Sequence, residues 1–119
     1  MQPTPKVTRA DVERVVRRDF PPEEVPAALA VLDEYGGPRT EPGRDRVQLA
    51  ALKNAGGSLT ALRQEVAIAK LDYRDVLSPA EYPTYYSRGL VEMSRLPDEE
   101  LERIHEADWE QYRRWLERP

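Results

Sequence analysis

Residues 47–71 read VQLAALKNAGGSLTALRQEVAIAKL, and this stretch decides the fold. Two runs rich in leucine and alanine flank the glycine pair Gly56 and Gly57, and Ser58 follows the pair. Glycine readily adopts the left-handed conformation that ends a helix, and serine is a good N-cap for the next helix. The stretch therefore predicts a helix over about 44–55 and another from Ser58, folded back on each other as an antiparallel hairpin.

Apolar residues at helical spacing extend this pattern toward both ends of the chain. Thr8 is suited to cap a first helix, and the prolines 21–22 interrupt it and open a second helix. The segment 97–117 begins with proline and three acidic residues and carries arginines near its end, as the helix dipole favours. No segment shows the sustained alternation of strands. We expect an all-α, single-domain bundle of about five helices over residues 1–119, flexible at 1–7.

The fourth helix is expected to run from Ser58 to about Leu77 and to stop before Pro79, which cannot continue helical hydrogen bonding. Beside its main apolar stripe, Ile68 and Leu71 point to nearly the opposite side. A helix with two apolar sides packs against neighbours on both, so this helix is predicted to be central. A turn or short helical piece should follow, and then a connecting segment that packs on the bundle through Leu90, Val91, Met93 and Leu96.

The composition excludes several classes of function. The chain has no cysteine, which excludes disulfides, thiolate nucleophiles and cysteine-ligated zinc. Its net charge is −4 with the excess acid in residues 61–119, so no broad basic face for nucleic acid is expected. No signal-peptide core and no membrane-spanning apolar run occurs, which predicts a cytoplasmic protein without membrane association. No phosphate-binding glycine loop is present either, and no cofactor is expected.

Several carboxylates are concentrated in the stretch DYRDVLSPAEYPTYYS, residues 72–87. Asp72, Asp75 and Glu81 could together bind a divalent cation or act as acid and base. Arg74 is not expected to join them. The spacing differs from the paired Glu-x-x-His motifs of helical metal sites, and an acid at a helix end more often pairs with arginine. Structural roles are therefore favoured for these four residues, and no catalytic or metal-binding residue is assigned.

A second candidate site is formed by His105 and Asp108, which lie one turn apart on the last helix. A carboxylate at this spacing could orient the imidazole as a general base. A nucleophile is missing, because there is no cysteine and no serine lies in a glycine elbow. Since Asp108 interrupts an apolar stripe, we expect it to be buried and hydrogen-bonded to His105, a tyrosine, an arginine or backbone N–H groups of another segment.

Three tyrosines and an arginine follow the carboxylates, namely Tyr82, Tyr85, Tyr86 and Arg88. Residues of these types anchor protein interfaces, because they bury a large area with few rotatable bonds to immobilise. The same tyrosines could instead close the end of the bundle. An interface role predicts that at least one of the three rings is substantially exposed.

The motifs LAALKNAGG, DYRDVL, AEYP and DWEQYRRWL follow one another along the chain. Through them the sequence from Pro21 onward resembles a family of small, uncharacterised bacterial helical proteins. The resemblance implies a small helical protein of bacterial origin, and it brings no reaction, cofactor or partner with it.

These observations favour a non-enzymatic protein–protein interaction or accessory module of the bacterial cytoplasm. One form of it is an immunity-like protein that neutralises a partner through its acidic C-terminal half, since complementary charge speeds association. The alternative is a metal-dependent or hydrolytic enzyme that uses the carboxylates at the end of the fourth helix. A protein partner is expected, whereas nucleic acid and membrane are not.

Overall fold

The computed structural model describes residues 4–38 and 40–119, and this part of the chain contains helices but no strand, so the all-α prediction is confirmed. Within these residues there are eight α-helices rather than about five. They are α1 (Arg9–Asp19), α2 (Val25–Leu32, preceded by a 3-10 turn at Pro22–Glu24), α3 (Arg44–Ala55), α4 (Leu59–Leu71), α5 (Arg74–Glu81), α6 (Pro83–Arg88), α7 (Leu90–Ser94) and α8 (Asp98–Glu117). The additional helices all lie between α4 and α8.

The predicted hairpin joins α3 to α4 through the glycine pair. Gly56 has a φ of 59° and ends α3, and the Ser58 side chain accepts a hydrogen bond from the backbone N–H of Ala61 at 3.2 Å. Gly57 also has a positive φ, of 84°, and a Cβ there would lie 2.9 Å from the carbonyl oxygen of Asp19. The pair therefore ends α3 and also lets the end of α1 approach closely.

The central helix of the core is α3, not the fourth helix as predicted. All its residues from 47 to 52 are buried, and it packs against α1, α4 and α5. Gln48, the polar member of this run, donates its amide hydrogens to the carbonyl oxygens of Leu32 and Tyr35. Its amide oxygen accepts a hydrogen bond from Arg9. A polar residue is tolerated in the centre of the core because both ends of its amide are bonded.

The predicted fourth helix is two helices, α4 and α5, which separate at Asp72. The backbone of Asp72 is extended, with φ −156° and ψ 105°, and its carboxylate accepts a hydrogen bond from the backbone N–H of Arg74 at 3.0 Å. An aspartate that bonds backbone two residues ahead competes with continued helix formation. Because α4 buries only one side, Ile68 and Leu71 are exposed to solvent and do not pack on a second neighbour.

Pro79 does not end its helix, contrary to the prediction. α5 continues for two residues beyond the proline, to Glu81. Proline removes one helical hydrogen bond, but Val76 and Ala80 on either side are buried in the core. Glu81 is in turn bound to Arg46 of α3. Tertiary contacts thus outweigh a local signal that favours termination.

The N-terminal segment leads into α1 through Thr8, whose backbone N–H donates to the Asp11 carboxylate at 2.9 Å, in the predicted capping arrangement. Pro5 is buried and Val7 packs on the core. Flexibility at 1–7 stays a prediction, because residues 1–3 lie outside the described residues. The single domain over 1–119 also stays a prediction. In the described part of the chain, no helix combines the length and apolar character needed to cross a membrane.

Candidate functional site

The three carboxylates of the predicted cluster are held by different partners. Glu81 is buried, and its two oxygens accept hydrogen bonds of 2.8 and 2.6 Å from the Arg46 guanidinium. This hydrogen bonding raises the pKa of Arg46. Asp72 accepts hydrogen bonds of 2.9 and 2.8 Å from Arg74, which was not expected to join it. The same contact lowers the pKa of the Asp72 carboxyl. Asp75 is exposed.

The donor set for a metal ion is correspondingly poor. Among residues 4–38 and 40–119, no group of three histidine or acidic side chains is placed to hold an ion. Two of the three carboxylates in the hypothesis already have arginine as a counterion. Asp72 and Glu81 therefore form structural ion pairs, whereas Asp75 has no salt bridge to another described residue.

Asp108 joins α8 to the start of α6. It is 2% exposed, and its carboxylate accepts hydrogen bonds from the backbone N–H groups of Thr84, at 3.2 and 3.3 Å, and Tyr85, at 3.4 Å. The first N–H groups of a helix have no partner within it, and Pro83 at the first position has no N–H to satisfy. Asp108 thus acts as an N-cap supplied by another helix. Its predicted burial and backbone partners are confirmed.

His105 belongs to this same contact rather than to a catalytic pair. Its ring lies against that of Tyr85, with 6.1 Å between ring centroids and an interplanar angle of 28°. Asp108, on the same side of α8, is occupied by the N–H groups of α6, and among the described residues no hydrogen bond joins it to His105. The geometry of a carboxylate-oriented general base is therefore not formed.

The three predicted interface tyrosines lie at different depths. Tyr82 and Tyr85 are half-buried, and burial raises the pKa of Tyr82. Tyr86 is 54% exposed, so it is the ring that an interface role requires at the surface. Arg88 is exposed at the end of α6. Tyr85 is fixed against α8, whereas Tyr86, next to it, is free to meet a partner.

Two further apolar residues, close to Tyr86 in sequence, were predicted to pack on the bundle but are exposed. Leu90 and Val91 begin α7 and are 69% and 65% exposed, while Met93 on the same helix is buried. The connecting segment therefore packs on the bundle through Met93 but not through Leu90 and Val91. A five-residue helix turns only one face toward the bundle. Met93 occupies that face, so Leu90 and Val91 remain on the solvent side. We call Tyr86, Leu90 and Val91 the α6–α7 surface.

A cleft of about 260 Å³ adjoins the α6–α7 surface. It lies where α5 faces α6 and the start of α7. The residues that line it are Asp75, Ser78, Tyr85, Tyr86, Gly89 and Leu90. The site thus combines exposed apolar area with a pocket that carries a carboxylate and a hydroxyl.

A scan against protein-family models, a search of curated proteins and a search of solved structures each found no match to the chain. The resemblance to small bacterial helical proteins stays a prediction. Function is therefore inferred from the geometry of this chain.

Proposed function

We propose that the protein is a non-enzymatic interaction module of the bacterial cytoplasm, and that the α6–α7 surface is its contact with a protein partner. One observation carries the proposal, namely the exposure of Tyr86, Leu90 and Val91 within six residues of chain. Single exposed apolar residues are ordinary, but grouped ones mark interaction sites. Covering them with a partner gains about 25 cal/mol for each Å² of apolar area removed from water.

The attachment of this surface to the body of the protein supports the same proposal. Asp108 caps α6 from α8, His105 stacks on Tyr85, and buried Met93 anchors α7. A surface that is already ordered loses less conformational entropy on binding than a flexible segment would. Side chains on α6 and α7 can therefore contribute more of their contact energy to affinity.

The acidic C-terminal half favours the immunity-like form of the module. Residues 61–119 carry thirteen acidic and nine basic residues, whereas the charges of residues 1–60 balance. Such an excess attracts a basic partner over distance and speeds the encounter.

The enzyme alternative has less support, because two carboxylates of its proposed site are paired with arginines. A chelator separates the two functions. Under the interaction proposal, the melting temperature is expected to stay unchanged when a chelator is added to the purified protein. A chelator-dependent fall would favour a metal-dependent enzyme.

The direct test is recovery of a partner from a lysate of the protein's own host, with Leu90→Asp compared with Leu71→Asp. Both substitutions place an acid at an exposed leucine, since Leu71 is 90% exposed at the end of α4. We expect Leu90→Asp to reduce partner recovery by about tenfold or more, and Leu71→Asp to leave it unchanged. Tyr86→Ala is expected to weaken recovery as well.

Circular dichroism and melting temperature serve as the folding control for all three variants, because each replaces an exposed side chain. A partner that is recovered equally well with Leu90→Asp and with Leu71→Asp would show that the α6–α7 surface is not the contact. Reduced recovery that is accompanied by loss of folding would be attributed to instability, and Tyr86→Ala then decides the question.

A further inference from the structure

We infer that the cleft beside the α6–α7 surface receives a basic side chain, lysine or arginine, from the protein partner. The inference rests on the proposed function and adds the chemical class of the contact. Its basis is the combination of a carboxylate, two tyrosine rings and an apolar edge in one cleft of about 260 Å³.

The carboxylate of the cleft is available to a new counterion. Asp75 is exposed in the first turn of α5, and no salt bridge joins it to another described residue. Its neighbour Arg74 is occupied by Asp72, at 2.8 Å. Arg88, the basic residue of α6, is exposed but does not line the cleft. Asp75 is therefore not held in an ion pair. The hydrogen bond to Asp72, together with the charges of Asp72 and Asp75, raises the pKa of the nearby Arg74, which is bonded to Asp72.

The rest of the cleft suits the stem and the head of a basic side chain. The faces of tyrosine rings attract cations, and Tyr85 and Tyr86 both line the cleft. Leu90 supplies an apolar edge, against which the methylene stem of lysine or arginine can pack. Gly89 leaves space, since nothing lies within 4 Å of the position that a Cβ would occupy there.

The charge of the chain segment that contains α6, α7 and the first half of α8 favours the same occupant over an acidic peptide or a second copy. Residues 82–106 carry six acidic and three basic residues, and all six acids are exposed. They are Glu92, Asp98, Glu99, Glu100, Glu102 and Glu106. An acidic peptide would be repelled by this field, and a second copy would bring the same excess of negative charge against it.

The test uses a short peptide, acetyl-Gly-Leu-Lys-Leu-Gly-amide, and a matched peptide with norleucine in place of lysine. Norleucine keeps the stem and removes the charge. Each is titrated into the ¹⁵N-labelled protein and followed by backbone amide chemical shifts. We expect the lysine peptide to shift the amides of Tyr85, Tyr86 and Leu90 saturably. The norleucine peptide should bind with an affinity that is lower by about fivefold or more.

Two variants of the protein complete the design, Asp75→Asn and the control Asp98→Asn. Both neutralise an exposed acid, but Asp98 lies at the start of α8 and does not line the cleft. We expect Asp75→Asn to weaken the lysine peptide by about threefold or more without affecting the norleucine peptide, and Asp98→Asn to have less effect. Shifts outside the cleft, equal binding of the two peptides, or equal effects of the two variants would each overturn the inference.

The outcomes also separate this inference from the proposed function. Loss of partner recovery in Leu90→Asp together with no peptide binding in the cleft would remove the inference alone. Peptide binding in the cleft with undiminished recovery by Leu90→Asp would remove the proposed contact surface. Sedimentation that shows a dimer, dissociated by Leu90→Asp, would identify a second copy as the occupant and overturn the basic partner.

Discussion

Replacing Asp108 by alanine is expected to loosen α6 from α8 and to lower the free energy of unfolding by about 1 to 3 kcal/mol. Losing an N-cap acceptor costs about 0.5 to 2 kcal/mol, and leaving a buried donor unpaired costs about 1 to 3 kcal/mol. The carboxylate is 2% exposed and accepts from Thr84 and Tyr85. These bonds, at 3.2 and 3.4 Å, are longer than ideal charge-assisted bonds, which keeps the loss within this range.

Asp108→Asn is expected to cost about half as much, because the amide keeps one acceptor oxygen but loses the charge that strengthens the bonds. For a domain of this size, about 1 kcal/mol corresponds to about 4 °C in melting temperature. The alanine variant should therefore melt about 4 to 12 °C lower than the wild type.

Urea denaturation followed by circular dichroism measures the loss, and an unchanged m-value confirms that the change lies in stability. Hydrogen exchange at the amides of Thr84 and Tyr85 reports the cap directly, because both should lose protection in Asp108→Ala. Glu106→Ala, an exposed acid on the same helix, is the control and should stay within about 0.5 kcal/mol. If Asp108→Ala matched Glu106→Ala in midpoint, or if exchange at Thr84 and Tyr85 did not change, the capping role would be refuted.

Tyr112→Phe is expected to leave stability at neutral pH unchanged or to raise it by up to about 1 kcal/mol, because the buried Tyr112 hydroxyl has no hydrogen-bond partner among the described residues. Burial also raises the pKa of the Tyr112 phenol above its usual value of 10, so above pH 10 the phenol ionises more readily in the unfolded chain than in the folded one. The wild type should therefore lose stability as pH rises above 10, and the phenylalanine variant should lose less. A variant that is less stable than the wild type at neutral pH would show that the hydroxyl is hydrogen-bonded. Tyr35→Phe removes a 2.7 Å hydrogen bond to a backbone carbonyl and should lower the free energy of unfolding by about 0.5 to 1.5 kcal/mol. Burial raises the pKa of Tyr35 to about 12, and ultraviolet titration of the variant should lack this phenol. Gly56→Ala should cost about 1 to 2 kcal/mol because of its positive φ, and Gly57→Ala more, because its Cβ would also lie 2.9 Å from the Asp19 carbonyl oxygen; equal melting temperatures for the two variants would contradict this close approach.

Local signals in the sequence determined the helical class and several helix ends. Glycine at 56 and 57 followed by a serine acts through the backbone of those residues alone, so the hairpin between α3 and α4 could be predicted. The same holds for α8, whose expected span of 97–117 differs from the observed Asp98–Glu117 by one residue. Apolar spacing around Asp108 also predicted its burial, because an acid within a buried stripe must be carried inward with its helix.

Where local rules and tertiary contacts compete, the sequence patterns led to wrong predictions. The rule that proline ends a helix is local, but α5 continues past Pro79 because Val76 and Ala80 are buried and Glu81 binds Arg46. At Asp72 the backbone can either continue the helix or leave it, so that the Asp72 carboxylate accepts from the backbone N–H of Arg74. The spacing of apolar residues does not distinguish these two arrangements, so it did not predict the break. The central position of α3 likewise follows from packing on three neighbours at once.

For the candidate site, the sequence indicated the region but not the arrangement of its side chains. Tyrosine-rich composition pointed to residues 82–88, since residue type alone indicates what can anchor an interface. Only the tertiary structure decided that Tyr85 packs on His105 while Tyr86, Leu90 and Val91 face solvent. It also decided that Asp72 and Glu81 pair with arginines, because the partner of a charge depends on which helices meet, and residues distant in sequence determine that contact.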